Sequence, residues 1–100
     1  MTLKADITNK VITDFGQESD KAFKMLENAL AKNDDLNSDR LVRCIIFLAK
    51  GNINDLNKYI EAATIDPRDV MLWAEYETLN DQVNYKRMRD FDKTFEENVS

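Results

Sequence analysis

Nine residues from Leu41 to Ala49 contain a single polar side chain, Arg43, and the chain is organised around them. At helical spacing Leu41, Cys44, Ile45 and Leu48 share one face, and Val42, Ile46 and Ala49 share the next. A helix apolar nearly all round is one that other elements must wrap. Burying Leu41, Ile45, Ile46, Phe47 and Leu48 would contribute roughly 1.5–3 kcal/mol each. A buried strand shares this composition. Length decides for a helix: Ser38 to Lys50 is 13 residues, started by Asn37 or Ser38 and followed by Gly51, and strands rarely run so long.

The flanking segments repeat the helical period. Leu3, Ile7, Val11 and Phe15 recur every fourth residue and predict a helix over about 4–15 ending at Gly16. The β-branched cluster Ile7, Thr8, Val11, Ile12 and Thr13 leaves strand open for residues 1–16. Ser19 reads as the N-cap of a second helix to about Lys32, with Phe23, Leu26 and Leu30 buried and Ala22 and Ala29 allowing close approach. The polar run from Asn33 to Ser38 is a connection whose side chains compete for backbone hydrogen bonds. After the central helix, Asn52 and Asp55 form a capping-box-like pair. Ile53, Leu56, Tyr59, Ile60 and Ala63 face inward on the fourth helix. Asp66-Pro67 is the clearest boundary: Asp66 caps, Pro67 takes the first helical position, and Asp69 adds charge to the first turn. The fifth helix is expected to bury Val70, Trp73 and Ala74, flanked by Leu72, Tyr76 and Leu79. Asn80-Asp81 turns into a sixth helix, about 82–95, with Tyr85, Met88, Phe91 and Phe95 on its stripe. Residues 96–100 are expected to fray.

Composition sharpens the picture. One hundred residues, 43% apolar and 33% charged, fit one folded domain. Two glycines and one proline leave little material for hairpins. The net charge of −5 argues against wholesale nucleic-acid binding. Cys44, alone, excludes an internal disulfide and suits a reducing, cytosolic setting. No basic-then-apolar leader opens the sequence, and its longest apolar run is far below the ~18–20 residues of a membrane span.

Candidate chemistry is sparse. Without histidine the commonest general base and most transition-metal sites are gone. Cys44 lies mid-helix in an apolar run, which fits inert core better than a nucleophile. Asp35, Asn37 and Asp39 mimic the start of a calcium loop, but Arg40 replaces its glycine and Ile46 its last ligand. Glu75 with Glu77 and Glu96 with Glu97 read as solvated helix faces. Lys86, Arg87, Arg89 and Lys93 read as salt-bridged helix surface, because Asp90, Asp92, Glu96 and Glu97 lie among and just after them. Arg43 either snorkels to an edge, pairs with a buried acid, or grips an anionic ligand or partner carboxylate.

Two resemblances follow from these residues. Ala62-x4-Pro67-x5-Trp73 resembles the junction between tetratricopeptide repeats, and an offset of 33 maps Leu26, Ala29 and Leu30 onto Tyr59, Ala62 and Ala63. Asp55 departs from the repeat's packing alanine, and Tyr76-Glu77 from its Leu-Gly. The resemblance spans roughly residues 20–80. It implies paired antiparallel helices and a peptide-binding role, although three repeats are the usual minimum. Separately, Arg43-Cys44-x3-Leu48-Ala49-x-Gly51 and Asp66-x-Arg68-Asp69-Val70-x2-Trp73-Ala74-Glu75-Tyr76 are similar to phrases in small uncharacterised all-helical bacterial proteins. That similarity implies no activity.

The expectation is therefore one all-α domain, a compact bundle of five to six short antiparallel helices, with TPR-like helical hairpins as a variant. Its expected role is that of a non-catalytic, cytosolic protein–protein interaction or structural module without cofactor, metal, nucleic acid or membrane. Arg43, Arg68, Trp73, Tyr76, Phe91 and Phe95 are the candidate interaction surface. A symmetric homodimer through the last two helices is the expected assembly. The competing expectation is a small ligand-binding protein or enzyme with an apolar pocket near Arg43, Arg68 and Trp73.

Overall fold

A computed structural model describes residues 3–78 and 85–98 and is predominantly helical. Its α-helices are α1 (Ala5–Phe15), α2 (Ser19–Lys32), α3 (Asp39–Ala49), α4 (Ile53–Ile65) and α5 (Pro67–Glu75). Two three-residue strands follow, β1 (Tyr76–Thr78) and β2 (Tyr85–Arg87). No helix among the described residues is long and apolar enough to cross a membrane.

Local chemistry accounts for the helix boundaries. In α1 the period-four stripe wins over the β-branched cluster: Ile7, Val11 and Phe15 are buried, and Gly16, at φ 53°, closes the helix by donating to the Ile12 carbonyl. Ser38, Asn52 and Asp66 each cap the helix that follows, accepting from the backbone N–H of Leu41, Asp55 and Arg68. Between α3 and α4 the chain turns through Lys50 (φ 51°) and Gly51 (φ 79°). A β-carbon at Gly51 would collide with the backbone carbonyl of Asp14. Glycine there lets the end of α1 rest directly on the α3–α4 turn.

The helix α3 is the centre. Seven of its residues, from Leu41 through Ile46 plus Ala49, are buried, against Ile7 and Val11 of α1, Leu26 of α2, Leu56 of α4 and Val70 of α5 in one core cluster. Leu36 joins that core at 1% exposure, so the polar connection is pinned by its one apolar residue through a short 3-10 turn, Asp34–Leu36.

Several sequence expectations change. Ser19 is the first residue of α2, and its hydroxyl donates to the Gly16 carbonyl at 2.6 Å instead of capping. A 3-10 turn, Gly16–Glu18, runs straight into α2, so no free N-terminal turn needs that cap. Phe23 is only half-buried, because Ala22, Leu26 and Leu30 form the inner stripe. The sixth helix is not formed in the residues described. Tyr76 pairs with Arg87 and Thr78 with Tyr85 in an antiparallel register, and residues 88–95 run irregularly over the core. The cause is at Glu75, whose carbonyl accepts from Met88 N–H at 2.7 Å and Arg89 N–H at 3.1 Å. Tertiary hydrogen bonding overrides the weak local preference for helix. Leu79, the turn at Asn80-Asp81 and residues 82–84 lie outside the described residues, as do Val99 and Ser100 of the expected frayed tail. Glu96–Asn98 form a 3-10 turn.

Candidate functional site

Two arginines on α3 organise the polar chemistry. Arg40 and Arg43 lie three apart, so they share an edge of the helix. Each meets a carboxylate from a different helix. The Arg43 guanidinium grips Asp6, from the first turn of α1, through Nε to Oδ2 at 2.9 Å and Nη2 to Oδ1 at 3.0 Å. Arg40 grips Glu75, the last residue of α5, through Nη2 to Oε1 at 2.6 Å and Nε to Oε2 at 3.1 Å. Both are two-pronged, the geometry that suits the planar guanidinium best. Arg43 is 4% exposed, Asp6 8% and Glu75 0%.

These pairs also hold main chain. The Phe91 N–H donates to Glu75 Oε2 at 2.8 Å, and the Phe91 carbonyl accepts from Arg43 Nη1 at 3.0 Å. The Phe95 N–H donates to Asp6 Oδ2 at 3.2 Å. Residues 91–95 belong to no helix or strand ladder, so the charged side chains supply the partners their buried backbone requires. Phe91, 1% exposed, packs its ring 5.3 Å from Phe47 and 5.6 Å from Phe95. Arg89 lies 4.4 Å over the Phe47 ring and donates to the Ala74 carbonyl at 2.7 Å. Asn98 folds the far end back, accepting from Asp90 N–H and donating to the Asp90 and Thr94 carbonyls. This clasp lies under one wall of an open groove of about 660 Å³ lined in part by Lys4, Asn9, Asp39, Arg40 and Thr94.

Burial pushes the Asp6 carboxyl up, but the Arg43 hydrogen bonds, the Phe95 N–H and the guanidinium charge together hold it below the usual carboxylate range. An acid shifted that way stays ionised at neutral pH, acting as an acceptor and an anchor, whereas proton transfer wants a pKa near the working pH. Arg43 shows the buried pairing with an acid that its sequence position allowed. The expectation that Glu75 is a solvated carboxylate is wrong: it is fully buried, because α5 turns it towards Arg40 and the Phe91 amide. Within the basic group Lys86 and Arg87 fall in β2 instead of a helix, and Arg89 is committed to Ala74 and Phe47.

The second feature is the outer face of the α4–α5 pair. Tyr59 and Trp73 stand equally far from Asp66, the single residue linking the helices, and their rings meet edge to face at 6.3 Å. The helices therefore fold back on each other. Trp73, expected in the core, is 49% exposed, and Ile65 is 86% exposed. Val70, Ala74 and Glu75 take the buried positions of α5 and rotate Trp73 to its edge. Lys58 sits 5.3 Å over the Tyr59 ring. Arg68, exposed, pairs with Asp66 at 3.3 Å.

The six sequence candidates thus separate. Arg43 and Phe91 are buried in the clasp, and Phe95 is half-buried beside them. Tyr76, half-buried, opens β1. Arg68 and Trp73 belong to the α4–α5 face. Arg43 lines the groove, and Arg68 and Trp73 are not among its lining residues. Cys44 is fully buried. Sequence reasoning missed Asp6, Arg40 and Glu75 as a set. Their only signal was charge at positions that a helical period places inward or at its border. Compared with known proteins, the chain matches no family model, no curated protein and no solved structure.

Proposed function

We propose that this chain is a non-catalytic protein–protein interaction module of the cytosol, and that the α4–α5 face bearing Tyr59, Ile65 and Trp73 is its contact surface. The observation that carries the reading is Trp73, half-exposed and braced edge to face by Tyr59. A large aromatic ring already held in place loses little freedom when a partner covers it, and tryptophan is enriched among residues that dominate binding energy. Ile65, at the end of α4, is a further exposed apolar side chain. Lys58, Asp66 and Arg68 add charge on the same two helices and their junction, a mix that interfaces commonly carry. The back-folded α4–α5 pair is the part of the chain that supports a helical-hairpin, repeat-like description. A second copy is one admissible partner.

The test is a photo-crosslinking residue at position 73, compared in native-host extract with the same residue at Ile12, which is 52% exposed on α1. A discrete adduct is expected from position 73 only, suppressed by excess wild-type protein and weakened by Arg68→Glu. Equal labelling from both positions overturns the assignment.

A further inference from the structure

We draw no further inference here: the strongest candidate, the open groove of about 660 Å³ between the N-terminal ends of α1 and α3 and residues 92–96, belongs to the clasp already described, and nothing in the structure shows what would occupy it.

Discussion

From Ala5 to Glu75 the backbone satisfies itself. Each helix carries its own ladder, three of them are capped by a side chain one residue upstream, and apolar stripes bring them together around α3. From Asp90 to Asn98 side chains supply much of what a ladder would. Main-chain groups there bond to carboxylates, a guanidinium and an amide belonging to α1, α3, α5 or the segment's own far end. The first region is held by apolar area, which is forgiving of direction. The second is held by a few directional contacts around one buried ring, so losing a single partner leaves a charge and an amide stranded together.

The largest effect should come from Asp6→Ala, which strands buried Arg43 and the Phe95 N–H at once. Removing one member of a buried pair costs about 3–5 kcal/mol, a large share of the ~5–15 kcal/mol that stabilises a domain of this size. Urea unfolding should show that loss, and amide exchange should rise first at Phe91 and Phe95 while α4 stays protected. The wild type should lose the same contribution in acid. Because Asp6 titrates below its ordinary range when folded, its stabilisation is complete above the usual carboxylate pKa of about 3.9 and disappears as pH falls through the lower folded value. The gap in melting temperature between wild type and Asp6→Ala should therefore be constant from pH 7 to 5 and close in stronger acid. A constant gap at all pH values would detach the effect from the carboxylate.

Leu56→Ala breaks the other region. Leu56 is fully buried, and the cavity should cost about 3 kcal/mol. Here amides throughout α3, α4 and α5 should lose protection together, since the apolar core is shared. Segment-only loss would contradict the contrast drawn between the two regions. Asp66→Ala, which removes one cap and an exposed ion pair, should cost about 1 kcal/mol in the urea midpoint with unchanged m-value. Trp73→Ser should cost about 1 kcal/mol or less, the value of one edge-to-face contact with Tyr59. A much larger loss would mean that Trp73 supports the fold, and the α4–α5 contact surface would lose its main argument.

The same contrast explains what was legible beforehand. Helices α1 to α5 were readable because each is specified locally, by period, cap and breaker: Asp66-Pro67 starts α5 and Gly51 ends α3 from the residues alone. Phe91 and Phe95 were readable as anchors but assigned to a helix. Their spacing of four suits a helical stripe equally well, and nothing local reveals that Glu75 offers the Phe91 amide a partner. Trp73 was misplaced because the period counts apolar faces and cannot foresee that a buried carboxylate, Glu75, takes the inward slot. Arg43 could be narrowed to a paired or ligand-gripping arginine, yet its partner lies 37 positions away, beyond any pattern along the chain.

The contact between Asp6 and the Phe95 amide spans 89 positions, and that separation sets an order of events. Closing a loop costs entropy that grows with the logarithm of its length, so this contact is expected to form after the shorter-range helix pairings have assembled. Until it does, the Phe91 and Phe95 main chain does not cover Arg43 and Asp6, and the burial of the pair is incomplete. The expected order is helical core first and segment 88–98 last, which amide protection during refolding would follow residue by residue.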